Sequence, residues 1–151
     1  MSVDDPLKLD MQLCFPLYAA ARAVTQAYAP LLAKLGLTYP QYLVMLVLWE
    51  TDGLTVKALG ERLFLDSGTL TPLLKRLEAQ GLVRRERSTE DARSVHVHLT
   101  SPGRAMRRKA VAVPEAMVCK MGLTQEELSR LRGDVRRLFE ALSLSPTEPS
   151  K

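Results

Sequence analysis

Residues 55–81 have the sequence TVKALGERLFLDSGTLTPLLKRLEAQG, and this stretch decides the fold. Thr55 is a favoured N-cap residue, and the apolar residues after it recur at helical spacing, which predicts a short helix. The tight link Phe64-Leu65-Asp66 leads into a second run of leucines, which ends before Gly81, a residue suited to a helix C-terminus. Two short helices joined by so few residues predict a helix-turn-helix.

After Gly81 the apolar pattern changes from helical spacing to a period of two. Residues 82–86 and 95–99 alternate in polarity on either side of the polar stretch 88–94. Because Val95, Val97 and Leu99 share one face, we expect a β-hairpin with one packed side and one wet side. A charged hairpin directly after a helix-turn-helix predicts a winged form.

Helix-length segments precede this centre. Asp5-Pro6 predicts the start of a first helix with proline at its first position. Pro16 lies inside that segment and predicts a kink or a restart there, which would put Cys14 beside a helix N-terminus. Residues 38–41, Thr-Tyr-Pro-Gln, form a capping box for a second helix.

Two further helices follow the hairpin. Ser101-Pro102 predicts the start of a long fifth helix that contains Pro114 and ends at Gly122, and a capping box at 124–127 predicts a sixth. The sixth has an apolar seam that steps by three and four residues and is suited to packing on another helix: Leu128, Leu131, Val135, Leu138 and Leu142.

The expected fold class is mainly α, a winged helix-turn-helix of six helices plus a two-stranded β-hairpin wing. We expect one domain over residues 1–151, with a DNA-binding core at 36–100, dimerisation helices at 5–35 and 101–142, and a flexible tail at 143–151. The terminal helices have apolar stripes but no sheet to pack against. We therefore expect them to pack against a second copy in a homodimer, and an intramolecular helix bundle is the alternative.

Composition and charge narrow the class of protein. The 151 residues are 46% hydrophobic and 25% charged with two cysteines, which excludes a disordered chain and a disulfide-stapled secreted module. No long apolar run or leader segment is present, so we expect a cytoplasmic protein with reduced thiols and no membrane partner.

Residues 75–109 hold ten basic and four acidic residues, a local net charge of +6, while the remainder of the chain is slightly acidic. Such a block suits phosphate binding, or is a solvated face.

With these elements in place, the chain resembles the MarR family of dimeric winged-helix transcription regulators over nearly its whole length. Asp91-Ala92-Arg93 matches the family's wing signature Asp-x-Arg. Four stretches look like the organic-hydroperoxide-sensing branch of that family: Leu13-Cys14-Phe15, Leu17-Tyr18, residues 38–42 (TYPQY) and residues 65–76 (LDSGTLTPLLKR). Pro16 departs from the pattern, since a helix-forming residue is usual there.

The resemblance implies a redox site. Cys14 would be the cysteine that an organic hydroperoxide oxidises, with Tyr28, Tyr39 and Tyr18 as the phenols that stabilise its thiolate, the first two from the other subunit. Cys119 would be the resolving thiol that forms an intersubunit disulfide with Cys14. The residues alone leave Cys14 as a small core residue and Cys119 as a helix-packing residue as alternatives.

The resemblance also implies a double-stranded DNA partner with a pseudo-palindromic operator. Small residues at the start of the fourth helix let it approach bases or phosphates, the cations after them suit the backbone, and Arg93 suits a narrow minor groove with Asp91 holding it. The expected DNA-binding residues are Ser67, Gly68, Thr69, Thr71, Pro72, Lys75, Arg76, Arg84, Arg85, Asp91 and Arg93.

We therefore expect a repressor that hydroperoxide releases from DNA, and neither an enzyme nor a cofactor-binding protein. His96 and His98 share a strand face, but no third ligand accompanies them, so no metal site is expected. The nearest alternative is a regulator of the same family that responds to a phenolic or other small molecule, with both cysteines incidental. A thiol peroxidase and an architectural DNA-binding protein are further alternatives.

Overall fold

The computed structural model describes residues 5–143, and the tail expected at 143–151 lies outside them except for Ser143. The predicted class is confirmed, because these residues contain the expected helices and one two-stranded antiparallel hairpin. In chain order the elements are α1 (Cys14–Ala33), α2 (Tyr39–Glu50), α3 (Val56–Leu63), α4 (Ser67–Ala79), β1 (Val83–Arg87), β2 (Val95–Leu99), α5 (Ser101–Ala110), α6 (Ala112–Met121) and α7 (Gln125–Ser143).

The N-terminal segment differs from the expectation. No α-helix starts at Asp5-Pro6; a turn and a single 3-10 turn, Leu9–Met11, precede α1. The Gln12 amide donates to the carbonyls of Pro6 at 2.6 Å and Lys8 at 3.1 Å, which are acceptors that a helix would use for its own N–H groups. The predicted restart is confirmed: α1 begins at Cys14, and Pro16 lies in its first turn.

The fifth predicted helix is divided into α5 and α6 at Val111. Pro114 explains the division, because a proline has no N–H to bond the carbonyl of Ala110 and its ring crowds that carbonyl. Proline is tolerated in the first turn of a helix, and Pro114 is the third residue of α6. The predicted C-terminal end is confirmed, since Gly122 has a left-handed φ of 65° just after α6.

The caps predicted for α2 and α3 are confirmed, and α4 also starts at a side-chain cap. Thr38 and Gln41 exchange the two hydrogen bonds of a capping box at α2. Thr55 caps α3 by accepting the Ala58 N–H at 3.0 Å, and Asp66 caps α4. Each of these bonds satisfies a donor that the first helical turn leaves unpaired, so the local sequence fixes where each helix starts.

The core forms around α2, which packs against α1, α3, α4, α5 and β2. Its side chains are buried on several sides, and leucines of the helix-turn-helix and one edge of the hairpin close the core over it. The largest fully buried side chains are Leu32, Val44, Met45, Leu48, Leu59, Leu70, Leu74, Leu77, Val83 and Val97.

The hairpin is anchored at its base and has two distinct faces. Asp52 Oδ1 accepts the Leu99 N–H at 2.8 Å, and the Leu54 carbonyl accepts the Val97 N–H at 2.8 Å, which holds β2 against the α2–α3 connection. In the antiparallel register Arg85 pairs with Val97, and Arg84 pairs with His98. Because side chains alternate along a strand, Arg84 and Arg85 lie on opposite faces.

The chain divides into two compact units between Pro114 and Glu115. In the second unit, α7 starts at a confirmed capping box, in which Thr124 and Glu127 exchange hydrogen bonds of 2.8 and 3.1 Å. No residue of α7 is buried. Its seam residues Leu131, Val135 and Leu142 are 52%, 41% and 71% exposed.

Candidate nucleic-acid interface and thiol sites

The N-terminal end of α4 presents small polar residues at the surface. Ser67, Gly68, Thr69 and Pro72 are exposed, and Thr71 is half-buried and donates its hydroxyl to the Ser67 carbonyl at 2.7 Å. The Asp66 carboxylate accepts the Thr69 N–H at 2.7 Å, and this bond holds the pKa of Asp66 below its ordinary value. The helix end is therefore capped and rigid, and its small residues leave room for a close approach by a ligand.

The wing tip is organised by Asp91. Its carboxylate accepts the backbone N–H of Arg93 at 3.0 Å and lies 3.5 Å from the Ser94 hydroxyl, while its carbonyl accepts the Ser94 N–H. These bonds fix the backbone on which the exposed Arg93 side chain is mounted. Asp91 thus positions Arg93 through the main chain.

The structure brings the wing and the helix-turn-helix together around a cleft of about 560 Å³. Predicted residues from both elements line it: Thr71, Arg85, Asp91 and Arg93. Lys57, near the start of α3, also lines the cleft and was not predicted. The sequence could have indicated Lys57 only through its position two residues after the Thr55 cap, since that position places it in the exposed first turn of α3.

The basic residues of β1 are divided between two surfaces. Arg85 lines the cleft and donates its backbone N–H and its guanidinium to the Glu78 carboxylate, which lowers the pKa of Glu78. Arg84 pairs with Glu86 at 2.8 Å on the opposite face, and this pairing lowers the pKa of Glu86. Arg84 is therefore not gathered with the other predicted DNA-binding residues.

The two histidine side chains lie on the same face of the hairpin as Arg84, and each has a polar partner there. His96 Nδ1 lies 3.0 Å from the Gly53 carbonyl, and His98 Nε2 lies 3.7 Å from Glu86. Across residues 5–143, no group of three or more His, Cys, Asp or Glu side chains could hold a metal ion.

The first thiol, that of Cys14, is exposed at the first position of α1. It follows an exposed apolar stretch that includes Leu9, Met11 and Leu13. The N-terminal end of a helix carries partial positive charge, although Pro16 contributes no N–H to this end.

Two of the three predicted phenols come together with one that was missed. The ring of Tyr28 lies 4.8 Å from that of Tyr39 and 5.7 Å from that of Tyr42, measured between centroids. Burial raises the pKa of all three hydroxyls above 10.0, so they stay protonated and can donate at neutral pH. Tyr18 is not in this cluster; it is 63% exposed, with the Arg22 guanidinium over its ring.

Cys119 lies on α6 and is exposed, as Cys14 is. It belongs to the second compact unit, whereas Cys14 belongs to the first. Each thiol is accessible to solvent within its own unit.

An apolar cleft of about 320 Å³ lies between α2 and α5. Tyr42, Leu46 and Trp49 form one side, and Val111 and the Arg107 side chain border the other. The indole N–H of Trp49 donates to the Gly103 carbonyl at 2.9 Å, which fixes the ring as a wall of the cleft.

Known proteins resemble this chain over most of its length. Residues 26–109 match the family model for the transcriptional regulator SarA/Rot. The organic hydroperoxide resistance transcriptional regulator of Bacillus subtilis (strain 168) is 51% identical to this chain, over 91% of this chain and 94% of its own length.

No helix within the described part of the chain is long and apolar enough to cross a membrane.

Solved structures agree with this match. Reduced AbfR bound to DNA superposes with a TM-score of 0.74 and 40% identity, over 89% of this chain and 93% of AbfR. Disulfide-formed AbfR gives a TM-score of 0.64 and 39% identity, over 87% and 93%. MarR gives 0.70 and 26% identity, over 87% and 97%. The resemblance drawn from the motifs is confirmed.

Proposed function

The chain belongs to the MarR/SarA family of DNA-binding transcriptional regulators, on its organic hydroperoxide resistance branch, and we propose that it is a repressor released from DNA when an organic hydroperoxide oxidises Cys14. The observation that carries the proposal is the exposed thiol of Cys14 at the first residue of α1. A sensing thiol must be reachable by its oxidant, and this thiol is reachable beside apolar side chains that suit an organic peroxide.

The chemistry has two steps. The Cys14 thiolate attacks the outer oxygen of the hydroperoxide, the O–O bond breaks, and the transferred OH makes the sulfur a sulfenic acid. The alkoxide leaves with the bond's electron pair and takes a proton from water to become the alcohol. The Cys119 thiolate then attacks that sulfur and expels hydroxide, which forms a disulfide. Sulfur has lost two electrons and the peroxide has gained two.

The partner in this chemistry is a second copy of the chain. The open seam of α7 and the exposed apolar residues before α1 are the surfaces that a two-fold dimer would cover. In such a dimer the partner's tyrosine cluster would supply protonated phenols to the Cys14 sulfur. The Cys14–Cys119 disulfide would join the two subunits.

The DNA interface has two parts. The small residues of α4 would enter the major groove, and Arg93 of the wing would enter the neighbouring minor groove. Lys57 and Arg85, which line the cleft between these elements, are suited to the phosphates that pass there. In a dimer the two interfaces would read half-sites about one helical turn apart, so a small rotation of either would weaken binding.

A binding titration tests the redox proposal. Duplex DNA is selected from a random-sequence pool with reduced protein, and binding is followed by fluorescence anisotropy as cumene hydroperoxide is added. The wild type should lose affinity as one equivalent per subunit is consumed, whereas Cys14→Ser should keep it. Release of the Cys14→Ser variant by the same dose would disprove the assigned role.

The disulfide is tested separately by electrophoresis without reductant. Wild-type protein should give a band of twice the subunit mass after peroxide, and both Cys14→Ser and Cys119→Ser should lack it. A monomer band alone in oxidised wild type would exclude the intersubunit bond without excluding sulfenic acid sensing.

A second candidate function is favoured by the cleft between α2 and α5. Its apolar walls and the Arg107 cation suit an aromatic carboxylate, and the Glu50 carboxylate that also lines it is paired with Arg62 at 3.0 Å. Such a ligand would make the chain a small-molecule-responsive regulator. Salicylate is the probe: if it releases DNA from both the wild type and Cys14→Ser while cumene hydroperoxide releases neither, the second candidate is correct.

A further inference from the structure

One carboxylate joins the C-terminal turn of α4 to the wing. Glu78 accepts the backbone N–H of Arg85 at 2.9 Å, and it accepts the guanidinium of the same residue through Nη2 at 3.3 Å and Nε at 3.5 Å. Arg85 lies opposite Val97 in the hairpin, and the Val97 N–H points away from β1 to the Leu54 carbonyl. Because opposed residues in an antiparallel pair point their N–H groups both inward or both outward, the Arg85 N–H points to the outer edge of β1, where Glu78 satisfies it.

This ion pair is better shielded from water than its counterpart on the other face of the hairpin. The side chains of Arg85 and Glu78 are 27% and 40% exposed, whereas those of Arg84 and Glu86 are 58% and 57% exposed. Opposite charges that are partly removed from water attract each other more strongly and are screened less by salt. The Glu78 carboxylate therefore cancels most of the Arg85 charge that an approaching ligand would meet.

The paired guanidinium belongs to the cleft between the wing and the helix-turn-helix. Arg85 lines this cleft of about 560 Å³ together with the cations Lys57 and Arg93. It also lines a neighbouring cleft of about 300 Å³, and Glu78 lines that second cleft. Asp91 lines the first cleft, but its carboxylate accepts the Arg93 backbone N–H. Within residues 5–143 neither Lys57 nor Arg93 forms an ion pair, so Arg85 is the cation of this cleft whose charge a carboxylate cancels.

We propose that Glu78 masks the charge of Arg85 and thereby limits the sequence-independent affinity of the protein for DNA. The proposal rests on the DNA interface of the proposed function, in which phosphates pass the cleft that Arg85 lines. A phosphate can still accept a hydrogen bond from the paired guanidinium, but the neutral pair displaces no counterion from the duplex. Because phosphates are the same at every base pair, the mask lowers the affinity for selected and unselected duplexes by the same factor.

Glu78→Gln tests the mask with little change of shape. The glutamine oxygen can still accept the Arg85 backbone N–H, whereas the negative charge is removed. The slope of log affinity against log salt should become steeper by about 0.9, the value for one further neutralised phosphate. Since salt screens the contact almost fully at about 1 M, this slope makes the variant roughly eightfold tighter than the wild type at about 0.1 M. Fluorescence anisotropy with reduced protein measures the affinity for a selected and an unselected duplex at several salt concentrations.

Glu86→Gln is the matched control. It makes the same change of net charge, in a carboxylate that also pairs with an arginine of β1, but on the opposite face of the hairpin. It should leave the affinity and the salt slope of the wild type unchanged. The double variant Glu78→Gln/Arg85→Gln makes the cleft wall neutral again and should return the slope to the wild-type value.

Arg93→Ala separates a failure of this proposal from a failure of the proposed interface. If Arg93→Ala weakens binding while Glu78→Gln leaves it unchanged, the mask alone is overturned. If Arg93→Ala binds as tightly as the wild type, the interface is wrong and the mask is overturned with it.

Three further results would count against the mask. Weaker binding by Glu78→Gln would mean that the carboxylate positions Arg85 for DNA and does not restrain it. An equal gain in Glu86→Gln would mean that net charge alone sets the affinity. A melting temperature of Glu78→Gln more than about 4 °C below that of the wild type would assign the pair to folding, since a partly exposed ion pair contributes less than that.

Discussion

Gly103 in α5 offers a test of how tightly the wing is joined to the rest of the first unit. A Cβ built on this residue would lie 2.0 Å from the Leu82 carbonyl oxygen and 3.1 Å from its carbon. Real Cβ contacts are essentially never shorter than 3.0 Å, so Gly103→Ala must move α5 from the strand base by about 1 Å. Such a movement would lengthen the bonds from Thr100 N–H to the Leu82 carbonyl, 3.1 Å, and from Trp49 to Gly103, 2.9 Å.

The expected cost follows from these contacts. Overpacking a well-packed site costs roughly 1–3 kcal/mol, and each weakened hydrogen bond adds up to about 1 kcal/mol. Gly103→Ala should therefore destabilise the fold by about 1–5 kcal/mol, a fall in melting temperature of roughly 2–20 °C. Gly133→Ala is the matched control: nothing lies within 4 Å of its Cβ, so it should stabilise α7 by about 0.5–1 kcal/mol.

Thermal unfolding followed by circular dichroism, at one fixed protein concentration, measures both variants. Gly60→Ala gives an intermediate case, because its Cβ would meet the Leu65 carbonyl oxygen at 2.5 Å. The expected order of melting temperature is Gly133→Ala, wild type, Gly60→Ala, Gly103→Ala. A Gly103→Ala protein that melts within about 1 °C of the wild type would refute the close packing of α5 on the hairpin base.

Two other predictions concern the wing and the phenols. Asp91→Ala removes the acceptor of the Arg93 N–H. DNA affinity, measured by anisotropy, should therefore fall roughly tenfold, while the melting temperature changes little. A variant that binds normally would show that the Asp91 carboxylate does not position Arg93. The raised pKa values of Tyr28, Tyr39 and Tyr42 mean that the fold favours the protonated phenols. Their contribution to the free energy of unfolding is fully present below pH 10.0, and it is lost as the pH rises through the raised pKa values. Urea unfolding at about pH 8 and about pH 11 measures the loss, and equal stabilities would contradict it.

Local signals in the sequence were sufficient for most of the fold. The caps at Thr38 and Thr55 were predictable because each depends on one side chain and a backbone N–H three residues later. The hairpin was predictable because its period of two differs from that of its neighbours. The segment after Asp5 was not, because the Gln12 side chain bonds the carbonyls of Pro6 and Lys8, and apolar spacing does not reveal such bonds.

The candidate site was predictable only where a motif carries it. Arg93 and Cys14 stand in recognisable stretches, whereas Lys57 and Tyr42 join their sites through packing between elements far apart in the chain. Tyr42 follows the Thr38 capping box and looks like an ordinary core residue of α2. The contact of its ring with Tyr28 of α1 becomes visible only when the two helices are packed.

That contact gives the proposed switch a physical route. Tyr42 belongs to α2, which packs against both α1 and α4 and buries Val44, Met45 and Leu48. A helix packed on several sides cannot shift at one face without displacing the neighbours at the others, because close-packed interiors transmit strain. A movement of α1 after oxidation of Cys14 would thus reach α4 through α2. Couplings of about 1–3 kcal/mol are typical between linked sites, and that range lowers DNA affinity between about fivefold and about 150-fold.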